Sequence, residues 1–258
     1  MSQLDVKIKN QVFKDLAQSK DIGQESVETV VITRNDIINF PEELLNCRNT
    51  RYVQCSLNKI SIIPSLGRFN KLTVCDFSNN RITGFPVGIL ACPNIKVLDL
   101  SGNRLKCLSA KIADLKQLRI IRASDNFIAD FPEGIFQLKL IEVVCLRNNC
   151  IKTIPSKIGN LKCLKILFMQ QNMLMTVPFS IVHTAIGDPN GKLKLEMNFL
   201  VPTLRDHYSA YGKNGILDLI KQSDPRELFK ILEKELRDQY LHFNVGLVKC
   251  LTERKQKL

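Results

Sequence analysis

One asparagine recurs along this chain at an almost fixed interval, and no other feature limits the possible folds as much. Asn35, Asn58, Asn80, Asn103, Asn126, Asn149 and Asn172 follow one another at steps of 22 or 23 residues. The surrounding segments repeat with them: "VETVVITRNDIINFP", "TRYVQCSLNKISIIP", "LTVCDFSNNRITGFP", "IKVLDLSGNRLKCLS", "LRIIRASDNFIADFP", "IEVVCLRNNCIKTIP" and "LKILFMQQNMLMTVP". A degenerate eighth copy, "NGKLKLEMNFLVPT", surrounds Asn198 after a longer step of 26 residues. Self-similarity at such a period marks an array of stacked units rather than one core wrapped by unlike elements.

The regular units set apolar residues eight, five and three places before the asparagine and two and five places after it, with Thr50 the one polar residue among these positions. In the fourth unit these are Ile95, Leu98, Leu100, Leu105 and Leu108; in the seventh, Leu164, Leu167, Met169, Leu174 and Val177. The alternation before the asparagine has period two and predicts a short strand. The asparagine then turns the chain, and its amide is expected to serve backbone groups of the neighbouring turn that packing hides from water. Pro41, Pro64, Pro86, Pro132, Pro155 and Pro178 close most units. The pieces after them, such as "SKIGNLKCL", suit a turn or two of helix on the outside. No unit can bury its apolar face alone, so the units stack into a curved solenoid with a parallel sheet on its concave side.

These residues follow the pattern LxxLxLxxNxL, and residues 27–203 resemble the leucine-rich repeat family. The passage "TIPSKIGNLKCLKIL" at 153–167 is similar to its 23-residue intracellular branch: plant Ras-group-related proteins, Scribble-type proteins and Roco repeat domains. The resemblance implies an α/β solenoid, a horseshoe with short helices or turns on the convex side and helical caps at both ends. It also implies an intracellular signalling scaffold or adaptor that binds protein and is not an enzyme.

Two flanks lie outside the period. Residues 1–26 are expected to form an amino-terminal capping helix, with Leu4, Ile8, Val12, Phe13 and Leu16 on one face. Residues 204–258 are expected to form a carboxy-terminal helical cap and an amphipathic tail. Asp224 followed by Pro225 predicts a helix start. The helix after it presents Leu228, Phe229, Leu232, Leu236 and Tyr240 on one side and is longer than a cap requires, which makes that side a candidate partner-binding face.

Composition narrows the function classes. No run of about 18 apolar residues is present, and the amino terminus is polar, so neither a membrane span nor a secretory signal is expected. Nine cysteines without a CxxC or CxxH pairing, and no Asn-X-Ser/Thr acceptor, fit free thiols in a reducing compartment, and a cytoplasmic location is expected. The net charge of +12 is diluted over the repeats, residues 27–203 carrying 22 basic and 13 acidic side chains. It reads as a solvated surface, and the alternative it motivates is an RNA- or ribonucleoprotein-associated repeat protein.

No catalytic constellation emerges. His183, His207 and His242 lie outside the strands and have no recurrent acid or nucleophile nearby. Cys75 occupies a core position, where burial makes a thiol inert. No cofactor or metal site is expected. The candidate site is instead the open sheet face, because side chains six, four and two places before each asparagine point away from the core. Its middle column reads Val31, Gln54, Asp76, Asp99, Arg122, Cys145, Phe168 and Lys194. Tyr52, Arg122, Arg147 and Phe168 are the expected anchors for a protein or peptide, with Asp76 and Asp99 supplying charge complementarity and Cys145 lying among them.

Overall fold

A computed structural model describes residues 4–9 and 27–239. Among the described residues nine strands form one open parallel sheet in chain order: β1 (Leu4–Lys9), β2 (Val27–Thr33), β3 (Tyr52–Gln54), β4 (Val74–Asp76), β5 (Val97–Asp99), β6 (Ile120–Arg122), β7 (Val143–Cys145), β8 (Ile166–Phe168) and β9 (Lys192–Lys194). Strands β3 to β9 are each three residues long and bury their central residue, as the period-two pattern requires. The convex segments are single 3-10 turns, among them Val87–Ala91, Glu133–Gln137 and Ser156–Asn160, each entered through a proline. A unit of 22 or 23 residues has room for one tight turn but not for a longer α-helix.

The five core positions named for the fourth and seventh units are all buried, Leu108 being the most exposed at 6%. The core is one continuous column, and it receives apolar side chains from every repeat unit.

The asparagines hold the turns together. Asn103 Nδ2 donates to Leu100 O in its own unit at 3.0 Å and to Phe77 O in the preceding unit at 2.9 Å, while its Oδ1 accepts from Ile82 N at 3.0 Å. Asn126, Asn149 and Asn172 repeat this set, and Asn198 repeats it in the degenerate copy, accepting from Leu174 N and donating to Met169 O and Leu195 O. The eighth unit is therefore complete in structure. Its longer step is taken up by an extra 3-10 turn, Ala185–Gly187. The residue before the asparagine is left-handed in the units of Asn35 through Asn198, as at Gly102 with φ +65° and Asp125 with φ +55°.

The amino-terminal expectation needs correction over the described residues. Leu4–Lys9 is a strand rather than a helix, paired in parallel with β2 from Leu4↔Val27 to Lys9↔Thr33. The sequence LDVKIK alternates Leu4, Val6 and Ile8 with polar neighbours, and two of these three are β-branched, so the strand reading fits both pattern and propensity. Val12, Phe13 and Leu16 lie outside the described residues.

At the other end, α1 (Pro202–Gln222) bends at Gly212, whose φ of 58° no helix interior adopts, and buries Leu204, Ile216, Leu217 and Ile220 against the last unit. Its Tyr208 hydroxyl accepts from Leu195 N at 3.0 Å, satisfying a donor just beyond β9 that a further repeat would otherwise take. Lys213 Nζ donates to the carbonyls of Ile186, Asp188 and Gly191 at 2.6–3.1 Å. A second helix, α2 (225–239), starts where Asp224 and Pro225 predict it, with Asp224 Oδ1 accepting from Arg226 N and Glu227 N. Glu235 of α2 accepts from Thr203 N and from the Thr203 hydroxyl, tying α2 to the first turn of α1.

Asn126→Ala strands Leu105 N–H, while the carbonyls of Leu100 and Ala123 each lose one of two amide donors and keep Asn103 Nδ2 and Asn149 Nδ2. It is expected to cost about 1–3 kcal/mol in urea unfolding, the cost of one stranded buried group. Asn126→Asp keeps the acceptor but loses the donor, and is expected to be destabilising as well.

Candidate functional site

The strand register builds the outward column that the sequence predicts. Val31, Gln54, Asp76, Asp99, Arg122, Cys145, Phe168 and Lys194 are paired in that order across β2 to β9. Tyr52, Val74, Val97, Ile120, Val143 and Ile166 run beside them in one register. A parallel ladder places such neighbours about 4.8 Å apart, close enough for their side chains to act together.

Three chemical zones follow one another along the column. In the first, the Tyr52 hydroxyl donates to Gln54 Oε1 at 3.2 Å and Gln54 Nε2 donates to the Ser56 hydroxyl at 3.3 Å. Burial, and then the Asp76 carboxylate, push the Tyr52 phenol above its ordinary value.

The second zone is acidic. Asp76 Oδ1 accepts from Ser78 N at 2.8 Å and Asp99 Oδ1 accepts from Ser101 N at 2.9 Å, so each carboxylate is held by its own turn with one oxygen left toward the open face. Arg122 Nη1 stands 3.9 Å from Asp99 Oδ2, with the Arg122 side chain 42% exposed. This is a loose ion pair whose guanidinium retains donors for another acceptor. Burial raises the Asp99 carboxyl above the usual aspartate range; hydrogen bonds from Ser101 oppose that rise, Asp76 adds to it and Arg122 opposes it.

The third zone carries Cys145 and Phe168. Phe168 is half-buried. Cys145 sits between Arg122 and Phe168 as expected, yet it is only 8% exposed, because the larger side chains on either side cover it. Burial pushes its thiol up to about 11, against the lowering effect of Arg122. It is a floor for the site more than a contact. Arg147 lies one column over and donates from Nε to Gln171 Oε1 at 3.0 Å, so it is oriented toward the edge of the sheet rather than its centre.

The helical candidates separate. Leu228 and Leu232 are buried in the core at 3% and 5% exposure, and Leu236 packs partly against it, so these three serve the cap and cannot also present a free face. Phe229 is exposed at 59%, while Tyr240 lies outside the described residues. The expectation of a partner-binding face on this helix is therefore corrected for Leu228, Leu232 and Leu236. Sequence spacing placed them on one side of a helix but could not say that this side meets the solenoid.

Among the described residues no group of three or more His, Cys, Asp or Glu side chains is placed to hold a metal ion. No described helix is long and apolar enough to cross a membrane. Cys75 is fully buried and its thiol is pushed far above the ordinary range.

No family model matches the chain. Over 118 residues it is 28% identical to an adenylate cyclase of Schizosaccharomyces pombe, covering 42% of this chain and 7% of the cyclase. Over 85 residues it is 31% identical to a protein of Dictyostelium discoideum named as a probable inactive serine/threonine-protein kinase, roco10, covering 31% of this chain and 3% of that protein. Among solved structures, a leucine-rich repeat protein of Leptospira interrogans superposes with a TM-score of 0.65 at 29% identity, over 70% of this chain and 46% of that one. The plant peptide hormone receptor RGFR1, in complex with RGF2, superposes with a TM-score of 0.58 at 26% identity, over 67% of this chain and 29% of the receptor. The chain thus spans less than half the length of each of these proteins.

Two measurements check these assignments. Because Asp99 is raised in the folded state, it favours folding at low pH, and that contribution is lost as pH rises from the ordinary aspartate value of 3.8 through the raised folded value. Asp99→Asn, which can still accept from Ser101 N, is expected to remove this loss, so its stability relative to the parent rises across that interval in urea titrations at stepped pH. Leu232→Ala is expected to lower stability by about 2–4 kcal/mol, whereas Phe229→Ala changes it by less than about 0.5 kcal/mol.

Proposed function

The chain is a leucine-rich repeat protein, and from that premise we propose that it is a non-catalytic scaffold or adaptor that holds a protein or peptide segment along its concave face. The observation that carries this reading is the outward column itself, in which Asp76, Asp99, Arg122 and Phe168 stand in one register across neighbouring strands. A fold that needed these strands only for stability would have no use for an arginine and a half-buried phenylalanine on the face opposite the core. Aromatic and guanidinium side chains yield most binding energy per residue, and carboxylates beside them select basic or polar partner groups.

The order of zones describes the partner. A basic or hydrogen-bonding group lies against Asp76 and Asp99, an acceptor against Arg122, and an apolar side chain against Phe168, with Cys145 as the floor between. Receptor RGFR1 lends support as a protein of this fold in complex with its ligand RGF2. The proposed setting is the cytoplasm, a reducing compartment that suits the eight free cysteines among the described residues.

Arg122→Ala with Phe168→Ala is expected to weaken capture of the partner about tenfold or more while the thermal midpoint moves by less than about 2 °C. Partners retained undiminished by that variant would remove the concave assignment.

One observation favours a second reading, association with RNA. Arg51, Lys71 and Lys96 line a shallow depression with Asn70, Asn94 and Gln117, on the side where the strands begin. Phosphate binding there makes affinity fall steeply with salt, so a flat salt response in an RNA titration rules this reading out.

A further inference from the structure

Beyond the concave face, a second ladder runs along the rim where the strands end. The residue immediately after each asparagine donates its backbone N–H to the carbonyl of the residue two places after the preceding asparagine. Lys59 N reaches Ile37 O at 2.8 Å, Arg81 N reaches Ile60 O at 2.8 Å, Arg104 N reaches Ile82 O at 2.9 Å, Phe127 N reaches Leu105 O at 2.8 Å, Cys150 N reaches Ile128 O at 2.8 Å and Met173 N reaches Ile151 O at 2.9 Å. The side chains of these residues are thereby stacked in one file on the outside of the rim.

The file changes chemistry at its middle. Lys59, Arg81 and Arg104 make its first half basic. Lys59 pairs with Asp36 at 2.9 Å, whereas Arg81 and Arg104, both exposed, have no ion-pair partner among the described residues. Phe127 at 58% exposure, half-buried Cys150 and Met173 at 41% make the second half apolar. The nearest acid on the rim, Asp125, is engaged by Asn148 Nδ2 at 2.8 Å. Nothing in the repeat requires this division: the same backbone bonds form whether the side chain is Lys59 or Phe127, and solvation alone favours a charge at every one of these positions. Two exposed apolar side chains with a half-buried one between them, beside two free guanidinium groups, are what a binding strip needs.

We propose that this rim is a second docking strip, distinct from the concave face, for an extended peptide segment of a partner protein in which carboxylates are followed by apolar side chains. The carboxylates lie against Arg81 and Arg104, where bidentate pairing is open to them, and the apolar side chains lie across Phe127, Cys150 and Met173. Charge complementarity fixes the occupant's chemistry and which half of it lies on which half of the strip. Five residues separated by four spacings of about 4.8 Å make the strip about 19 Å long, which about six extended residues span. The reading does not rest on the concave proposal.

The test selects displayed random heptapeptides on the full chain and measures the winners on two variants. Arg104→Glu with Phe127→Ser changes the rim, Arg122→Ala with Phe168→Ala changes the concave face, and all four positions are solvent-facing so that both variants are expected to fold with the parent's thermal midpoint. The expected result is a class of peptides with carboxylates ahead of apolar residues whose affinity falls about tenfold or more on the rim variant and less than about twofold on the concave variant. Such a peptide is also expected to shield Cys150 from alkylation while the exposed Cys107 and Cys163 continue to react. The proposal is overturned if no selected peptide distinguishes the rim variant from the parent. It is equally overturned if Cys150 is shielded without peptide, either increasingly with protein concentration, which marks a second copy, or until residues 240–258 are removed, which marks this chain's own terminus. Failure of the concave reading shows separately, as the absence of any selected peptide whose affinity falls on the concave variant.

Discussion

The three-way hydrogen bonding of one buried asparagine per unit is the interaction on which the rest of the structure depends. A solenoid turn exposes backbone donors and acceptors on both its faces, and stacking the next turn against it removes water from all of them. Asn103, at 5% exposure, satisfies two carbonyls and one N–H across two units at once. An unmet group of that kind costs about 1–3 kcal/mol, comparable to what one core leucine contributes. The asparagine therefore decides whether neighbouring units may touch at all. Glutamine is too long to reach both units, and aspartate lacks the donors.

That requirement explains a feature that reading the repeat alone did not show. To aim its amide back across the preceding turn, the chain reverses just before the asparagine through a left-handed residue. Arg34, Leu57, Asn79, Gly102, Asp125, Asn148, Gln171 and Met197 all have positive φ. Asparagine and aspartate tolerate this region, and glycine adopts it freely, but Leu57, Gln171 and Met197 do so against their preference. The repeated asparagine bonds sustain a backbone that local propensity alone would not choose. Gly102 goes further, because an added Cβ would overlap the Asn79 side chain of the preceding turn as well as strain φ.

Legibility in the sequence follows the same physics. The core positions of all units and the order of the outward column were readable because one register error would turn every side chain over, so pattern and structure are tightly bound. Burial of Cys145 was not readable, because it depends on the size of Arg122 and Phe168 in adjacent units rather than on its own position. The alternation in Leu4, Val6 and Ile8 is short and compatible with either period, so the strand β1 was read as helix. Leu228 and Leu232 were placed on the correct side of the correct helix, with Asp224 and Pro225 marking its start. What the spacing omitted was the pair of tethers, Glu235 to Thr203 and Gln239 to Phe199 O, that turn this side inward.

The division of labour within a unit also explains how such a chain can carry binding surfaces at little cost to its fold. Two of every three residues in a repeat strand, and the first residue after the asparagine, contribute backbone bonds that are independent of side-chain identity. Their side chains face away from the core; one strand column keeps Val74, Val97, Ile120, Val143 and Ile166, while the middle column and the rim position are constrained chiefly by solubility, so a polar group is the default there. Departures from that default carry information in a way that departures at core positions do not. Phe168 on the concave face and Phe127, Cys150 and Met173 on the rim are such departures, and Phe168, Phe127 and Cys150 each have an arginine of the same file within two rungs. The two clusters lie in the carboxy-terminal half of the solenoid, the half closed off by Tyr208, Lys213 and α2. Binding there works against an end of the sheet already tied down by these bonds, where ordering a partner requires little further ordering of the protein itself.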